Sequence, residues 1–350
     1  MTFINLIKAF VRRRAPSAEA LYMVWRGARA LKRIRSIYGN DTHVFLMRGA
    51  TGDTWLQLAL MDNLIRERGI SAYKIVGDSA GCVELARLFR EENLIPAGGY
   101  KAACIEKAYM LLGGERLRLT LLFPWTYALY FNRCRIRMTE RFDFMDTYRY
   151  YVLNLKGAMR IKIPEFEPIT PEQERALSER GFVRGRTVVI APEANSVTEL
   201  DAGLWNRVIA GLREKGYAVV VNTKKKKAYH APDYFCGYAQ SVPLLEYAGF
   251  FVGLRSGFCD IVSSAKCRKV ILYPAKASRV NYSEHRTERE FCGLKKMGLI
   301  WEQDDTLTEL DTALVRNITD TEDALGDEEE RAREEELLIA RLLSAFDGGA

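Results

Sequence analysis

Three consecutive residues, Arg255, Ser256 and Gly257, interrupt an apolar part of the sequence in a pattern that suits phosphate binding. An apolar run precedes them, and an apolar-periodic segment and a second apolar run follow, which predicts strand, sharp turn, helix and strand. Serine is a good N-cap, glycine permits a tight turn, and the open N–H groups of a helix start bind anions. Arginine adds a guanidinium that binds phosphate oxygens in a fork. The alternative is a capped turn whose arginine pairs with a carboxylate, and the sequence leaves both open.

A second motif, Gly-Asp-Ser-Ala-Gly at 77–81, matches the Gly-x-Ser-x-Gly nucleophile elbow of serine hydrolases between a predicted strand and helix. Ser79 would be the nucleophile, and His230 or His285 would complete a triad. However, just one predicted strand precedes the strand that leads into the motif, no His-Gly-Gly segment lies upstream, and neither histidine has a clear aspartate partner. A serine hydrolase is therefore the alternative function, and the ordinary interpretation is that Asp78 and Ser79 cap the following helix.

The elements that position these motifs alternate between strand and helix periodicity in the first half of the chain. The predicted segments are strand 42–48, turn 49–54, helix 55–68, strand 72–76, helix 82–90, and two less clear alternating segments at 117–122 and 150–155. This alternation predicts a mostly parallel sheet covered by helices.

A proline-rich, polar break at 163–171 is the predicted domain boundary. After this boundary the same alternation of strand and helix restarts, and it leads into the turn at Arg255-Ser256-Gly257. The predicted segments are strand 187–191, helix 201–215, strand 217–222, short helix 243–248, strand 250–254, helix 261–265 and strand 270–274. The acidic stretch 320–336 is predicted to be a solvated helix.

The composition is that of a soluble globular protein whose 350 residues provide for two domains. No apolar run approaches the roughly 18 residues that span a bilayer. The seven cysteines are scattered, mostly in apolar segments, without a Cys-x-x-Cys pair. This usage favours buried free thiols in a reducing cytoplasm over disulfides or zinc.

The net charge of +7 comes from the first 37 residues, which hold nine lysines and arginines and one acid. The remainder has 43 basic and 44 acidic residues, so the body is not a basic nucleic-acid binder. Residues 1–14 combine one apolar helical face with Lys8 and Arg12 to Arg14, and the charges follow the apolar residues, which is not the order of a signal peptide. Such a helix suits an anionic membrane surface, and a helix packed on the body with solvated arginines is the alternative.

Several segments resemble the GT-B glycosyltransferases, in particular the heptosyltransferase-like family nine. Gly52-Asp53-Thr54, ahead of a helix, resembles the Gly-Asp turn that follows the first strand of that family. Residues 247–257 resemble its diphosphate turn, an alanine, a strand and Gly-x-x-Ser-Gly. Segments that resemble the start of its donor domain are 188–196, 204–205 and 216–222. The resemblance is good over 186–275, thin over 42–90 and absent elsewhere.

One position departs from the family pattern. The family usually has an acidic residue before Ser-Gly and a histidine soon after, whereas here Arg255 precedes Ser256-Gly257, and Phe258, Cys259 and Asp260 follow. An arginine at this place is similar to some fucosyltransferase-like enzymes that use a guanine-nucleotide sugar. The sequence therefore leaves the sugar and the base undetermined.

The resemblance implies an α/β fold of two Rossmann-like, doubly wound domains that face a cleft, and transfer from a nucleotide-diphosphate sugar. Asp53 is then the candidate base for the acceptor hydroxyl, with an N-cap role as the alternative. Arg255, Ser256 and the N–H groups from Gly257 would stabilise the departing diphosphate, and Asp53 and Arg255 would line the cleft. Further donor-binding candidates, mostly at the carboxyl ends of predicted strands, are Glu193, Asn195, Ser196, Asn222, Thr223, Lys224 and Asp260. This type of fold generally needs no metal, and we expect neither a metal nor a cofactor.

The predicted domains are a basic N-terminal helical arm (1–40), an acceptor-side α/β domain (41–160), a linker (161–185), a nucleotide-sugar domain (186–320) and a C-terminal helix or tail (321–350). The predicted function is transfer of a sugar to a glycan or lipid-linked acceptor in bacterial surface polysaccharide synthesis. We expect a cytoplasmic protein with peripheral contact to the membrane through residues 1–14 and no nucleic-acid partner. Besides the hydrolase, a catalytically inert nucleotide-binding subunit of the same fold is an alternative.

Overall fold

The computed structural model of this chain has two compact units. In its described part, the first unit comprises residues 16–122 and 148–164, and the second comprises residues 144–147 and the described residues from 165 onward. The described residues are 16–122, 144–194, 197, 199–224, 229–273, 289, 293–299, 306–312 and 328–347. The predicted membrane-contacting segment 1–14, the candidates Asn195 and Ser196, and His285 lie outside the described residues.

The first unit is built on four parallel strands covered by helices. Its strands are β1 (His43–Met47), β2 (Tyr73–Gly77), β3 (Leu94–Pro96) and β4 (Leu119–Leu121). Its main helices are α1 (Pro16–Tyr38), α2 (Thr51–Glu67), α3 (Ala80–Leu88) and α4 (Gly99–Leu112). The strand order is β3-β2-β1-β4, so the chain builds outward on one side of β1 and then crosses to the other side.

Helix α1 is part of the core of this unit. Leu31 and Ile34 on its inner face are buried in one cluster with residues of β1, β2, β4 and α4. Gly27 allows the two helices to approach, because a Cβ at this position would stand 2.1 Å from the carbonyl oxygen of Cys104 on α4. Residues 16–38 of the predicted arm therefore form a helix that is integral to the first unit.

The second unit has five parallel strands, β5 (Thr187–Ala191), β6 (Ala218–Val221), β7 (Gly249–Leu254), β8 (Arg268–Tyr273) and β9 (Leu307–Asp311). Its helices are α5 (Phe144–Asp146), α6 (Pro171–Glu179), α7 (Ala202–Glu214), α8 (Tyr238–Ala248), α9 (Gly257–Val262) and α10 (Glu328–Ser344). The strand order is β6-β5-β7-β8-β9, with the change of direction between β5 and β7. The predicted α/β class with parallel sheets is confirmed.

The core of the second unit lies between the sheet and helices α7 and α10. Trp205 of α7 is fully buried, and Leu342 of α10 is buried in the same cluster. Arg207 of α7 contacts Glu335 of α10 and donates to Glu336 at 2.6 Å. The described end of the acidic stretch is thus helical and held at the sheet by an apolar inner face.

The structure corrects two predicted elements. Helix α2 begins at Thr51, so Asp53 lies in its first turn and not in a preceding loop. The segment 150–155 is not extended, since Thr147–Val152 is π-helical and the ring of Tyr148 is buried. The short strands β3 and β9 and helix α4 were not predicted. A three-residue strand such as β3 has too few residues for a periodic pattern, and its pairing with β2 is what makes it a strand.

None of the described helices has the length and apolar character that crossing a bilayer requires. The five described cysteines are buried, as predicted, and no disulfide joins them.

Candidate functional site

The carboxyl edge of the second sheet collects most of the predicted donor residues. In open parallel sheets, ligands bind outside the carboxyl ends of the strands where the strand order changes direction. Here that place lies between β5 and β7. Glu193 follows β5, and the Arg255-Ser256-Gly257 turn follows β7 directly. Thr223 follows β6, the other neighbour of β5, so three loops of the predicted site reach the same edge.

The guanidinium of Arg255 is turned inward and paired with a carboxylate. Its Nη2 donates to Asp260 Oδ1 at 2.7 Å and its Nη1 to Asp260 Oδ2 at 3.2 Å, while Nη1 also donates to the carbonyl of Ser256 at 2.7 Å. The side chains of Arg255 and Asp260 keep 7% and 4% of their surface exposed. Burial raises the pKa of Asp260, and the nearby Arg255 opposes that rise. These contacts match the alternative interpretation of the motif, in which the arginine pairs with a carboxylate and fixes the turn.

Ser256 occupies the N-cap position of α9 without making the side-chain bond of a cap. Its backbone is extended, at φ −153° and ψ 169°, and no side-chain capping bond is present. Its carbonyl accepts from the N–H of Cys259 at 2.9 Å. The hydroxyl is half-buried at the carboxyl edge of β7, where the predicted diphosphate contact requires it.

Two other loops at this edge are tied together by side-chain bonds. Thr223 Oγ1 donates to Glu193 Oε1 at 2.7 Å, which links the ends of β5 and β6. Asn222 Oδ1 accepts from the N–H of Cys236 at 3.3 Å. Lys224 is exposed, and its Nζ lies 4.0 Å from the ring centroid of Phe235. Each of these side chains therefore has a partner in the loops at this edge.

Sequence reasoning missed a buried polar group next to Arg255. The hydroxyl of Tyr273, at the end of β8, contacts Glu309 of β9 and accepts from the N–H of Leu294 at 3.1 Å. Burial raises the pKa of Tyr273 well above its ordinary value, although the charge of Arg255 lowers it. Tyr273 closes an apolar run, so nothing in the sequence distinguished it from a core residue.

Asp53, the predicted base, lies in the first unit near the carboxyl end of β1. Its Oδ2 accepts from the backbone N–H of Ala50 at 3.2 Å, which satisfies one of the donors that a helix start leaves open. Its carbonyl accepts from the hydroxyl of the buried Tyr148 at 3.3 Å. Asp53 is not the N-cap of the alternative interpretation, because Ala50 holds that position, but its carboxylate stabilises the helix start from the third helical position. A catalytic role needs the same carboxylate to reach an acceptor hydroxyl.

Arg48, the first residue after β1, was also missed. Its Nε donates to Asp78 Oδ2 at 3.0 Å, and its Nη1 contacts Glu106 of α4. Its side chain keeps 25% of its surface exposed. Its carbonyl accepts from Gln57 Nε2 at 2.6 Å. The sequence signal that could have found Arg48 is its position. It directly follows a strand at which the strand order changes direction, just as Arg255 does.

Ser79, the nucleophile of the hydrolase alternative, is a helix cap. Its Oγ accepts from the N–H of Cys82 at 3.2 Å at the N-cap of α3, and it donates to Cys82 Sγ at 3.2 Å. The ordinary interpretation of the Gly-x-Ser-x-Gly motif explains these contacts, and they do not favour the hydrolase.

Among the described residues, no group of three or more histidine, cysteine, aspartate or glutamate side chains is arranged to hold a metal ion. The expectation that no metal takes part stays a prediction.

Comparison with known proteins assigns the fold. No protein-family model and no curated protein sequence matches the chain. Among solved structures, the glycosyl transferase family 9 from Veillonella parvula aligns with a TM-score of 0.50 at 12% identity, over 86% of this chain and 96% of that one. The chain has the fold of a family 9 glycosyltransferase. The predicted resemblance is thereby confirmed at the level of the fold.

Two Escherichia coli proteins are also similar to this chain. ADP-heptose lps heptosyltransferase II aligns at a TM-score of 0.48 and 16% identity, over 87% of this chain and 99% of that one. Heptosyltransferase WaaC with ADP-2-deoxy-2-fluoro heptose aligns at 0.35 and 10%, over 69% and 91%. These scores are lower than that of the Veillonella structure and add no argument to it.

Proposed function

We propose that this protein is a glycosyltransferase that moves a sugar from a nucleotide-diphosphate sugar to a glycan or lipid-linked acceptor in bacterial surface polysaccharide synthesis. The fold of family 9, aligned over 86% of the chain, is the observation that carries the proposal. The phosphate-type turn after β7 supports it, because it lies beside the switch point of the second sheet, where ligands of parallel sheets bind. The cleft that we predict between the two domains, lined by Asp53 and Arg255, stays part of this proposal.

In the proposed reaction, the second domain (186–320) holds the donor. The N–H groups from Gly257 and the hydroxyl of Ser256 donate to the diphosphate, and Thr223 and Glu193 bind the rest of the nucleotide at the ends of β6 and β5. Arg255 supplies positive charge at the turn. Direct contact of its guanidinium with a phosphate oxygen requires a rearrangement of its bonds to Asp260 and Ser256. Asn222, Lys224, Asn195 and Ser196 stay donor-binding candidates.

In the first domain, Asp53 takes the proton of the acceptor hydroxyl as that oxygen attacks the anomeric carbon of the donor sugar. The bond between this carbon and the diphosphate oxygen breaks, and the electron pair leaves with the diphosphate, whose charge the N–H groups stabilise. The step needs no oxidant, and we propose that it uses no metal. The predicted cytoplasmic location and the contact of residues 1–14 with an anionic membrane also belong to this proposal.

A nucleotide panel tests the donor site. We expect ADP, GDP or UDP to raise the thermal unfolding midpoint, since a ligand at a hundredfold excess over its Kd stabilises the bound state by about 2.7 kcal/mol. The matching nucleoside monophosphates are the control, because they lack the second phosphate that the turn is proposed to bind. Equal midpoints with and without all three diphosphates, at millimolar concentration, would contradict the donor site.

The base is tested with Asp53→Asn, which keeps an oxygen that accepts from the N–H of Ala50. With a sugar donor of the nucleotide that binds, we expect transfer to fall by about 10²–10⁴-fold while nucleotide binding is unchanged. Asp62→Asn removes the same charge from the exposed side of α2 and is the matched control. Transfer by Asp53→Asn at the wild-type rate would exclude Asp53 as the base. Nucleotide binding without transfer in the wild type would favour the inert subunit.

A further inference from the structure

Large apolar side chains are exposed to solvent on the side of α1 that lies opposite its buried residues. Leu21, Tyr22 and Trp25 keep 61%, 46% and 54% of their surface exposed. The opposite side of the same helix is buried through Leu31 and Ile34. Exposed apolar residues that cluster in this way, unlike scattered ones, mark an interaction site.

Basic side chains share this surface and contact its rings. The guanidinium of Arg29 lies 5.3 Å from the ring centroid of Trp25, and that of Arg26 lies 5.7 Å from the centroid of Tyr22. The rings of Tyr22 and Trp25 are themselves stacked, with centroids 6.0 Å apart. Lys32 is exposed one turn further along the helix. Arginines that cover aromatic rings keep their charge available to an anionic partner.

Helical spacing places these residues on one side. At 3.6 residues per turn, positions 21, 22, 25, 29, 32 and 33 fall within about a third of the helix circumference, opposite the buried residues. We call these six residues, Leu21, Tyr22, Trp25, Arg29, Lys32 and Arg33, the outer face of α1. The outer face carries three positive charges and no acid, in a chain whose remainder beyond residue 37 is close to neutral.

We propose that the outer face of α1 docks on an anionic lipid bilayer. Tryptophan and tyrosine lie at the level of lipid headgroups because their rings are apolar and their N–H and O–H groups are polar, and lysine and arginine are attracted to anionic lipids. A second copy of the chain is a poorer occupant, because two outer faces would bring like charges together. The outer face includes none of residues 1–14, and the proposal does not depend on sugar transfer.

Vesicle co-sedimentation of the full chain tests the proposal. We expect binding to vesicles of phosphatidylcholine with phosphatidylglycerol, weaker binding at high salt, and little binding to phosphatidylcholine alone. The variant R29Q/K32Q/R33Q should lose about a hundredfold in partition coefficient, at about fivefold for each basic residue near an anionic surface. The matched control R175Q/R213Q/K266Q removes three exposed charges from the second unit and should bind nearly as the wild type does.

The position of Trp25 gives an independent readout. Brominated lipids quench tryptophans that enter the bilayer. Of the other four tryptophans, Trp55 and Trp205 are fully buried in their units, and Trp125 and Trp301 lie outside the described residues. We expect quenching in the wild type and much less in Trp25→Phe, whose sedimentation should change little because a large apolar ring remains. Circular dichroism and the thermal midpoint establish that each variant is folded. Equal vesicle binding by the triple variant and the wild type, or quenching in Trp25→Phe as strong as in the wild type, would overturn the proposal.

Discussion

Each sheet places an arginine directly after a strand at its switch point, and the two arginines have different surroundings. Arg48 follows β1, keeps 25% of its side-chain surface exposed, and binds carboxylates from two other elements. Arg255 follows β7, keeps 7% exposed, and is held on both terminal nitrogens by Asp260, five residues further along the chain.

The difference separates two uses of the same residue type. A buried guanidinium bound bidentately fixes the backbone around it, because breaking the pair leaves a charge without solvent. A guanidinium near solvent costs little to move and is available to a ligand. In the second unit, Arg255 therefore shapes the turn, and the Ser256 side chain beside it is half-buried. In the first unit, Arg48 is the arginine that a ligand reaches with the smaller rearrangement.

The largest expected effect is on stability, and it compares the two arginines directly. Arg255→Met leaves Asp260 buried and unpaired, so we expect the free energy of unfolding to fall by about 3–5 kcal/mol. Arg48→Met leaves two carboxylates without this partner, but solvent reaches both Asp78 and Glu106, so it should cost less than Arg255→Met. Urea unfolding followed by circular dichroism measures both.

The double variant Arg255→Met/Asp260→Leu is the control for this comparison, because removing both partners of a buried pair restores much of the loss. If Arg48→Met costs as much as Arg255→Met, the distinction between a structural and an accessible arginine is wrong.

A smaller effect is expected from the two serines at helix starts. Ser79 makes the capping bond to Cys82 and Ser256 makes no side-chain cap. Ser79→Ala should therefore lower the free energy of unfolding by about 1 kcal/mol and Ser256→Ala by a few tenths of that. Conversely, Ser256→Ala should weaken nucleoside diphosphate binding and Ser79→Ala should not. The comparison fails if Ser79→Ala is the variant that loses nucleotide, as measured by isothermal titration.

The smallest effect concerns the first residues of β1 and β5. Burial, with help from Arg68, Arg35 and Arg118, lowers the pKa of His43 from 6.5 to about 4, while its counterpart Thr187 does not titrate. Between pH 6.5 and about 4 the unfolded chain binds the proton more readily, so this contribution to stability is complete above pH 6.5 and is lost as the pH falls. His43 is partly exposed, so the contribution is less than about 1 kcal/mol.

His43→Gln should flatten the dependence of unfolding free energy on pH in that window, measured by urea titrations at several pH values. Thr187→Val is the control and should leave the slope as it is in the wild type. An unchanged slope in His43→Gln would assign the titration to another group.

Most of the sheet strands were predictable from sequence. The apolar runs that became β1, β2, β5, β6, β7 and β8 are four to six residues long and bounded by turn residues, which makes their pattern local. Strands β3 and β9 lacked that local signal. They are extended because they pair with β2 and β8. Helix α2 began earlier than predicted, because the Asp53 carboxylate binds the N–H of Ala50 and extends the helix by one turn.

The sequence by itself determined the parallel α/β class, the turn after β7 and the concentration of positive charge in the first 37 residues, since all three depend on neighbours in the chain. Tertiary structure alone decided which arginine is buried and which is near solvent. The sequence shows that Asp260 stands five residues after Arg255, but Glu106 reaches Arg48 from 58 residues away. Tertiary structure also decided that α1 packs on α4 through Gly27, which leaves Trp25 and Arg29 facing outward. Burial and long-range pairing are properties of the packed chain, and they set the charge state and the accessibility of each group.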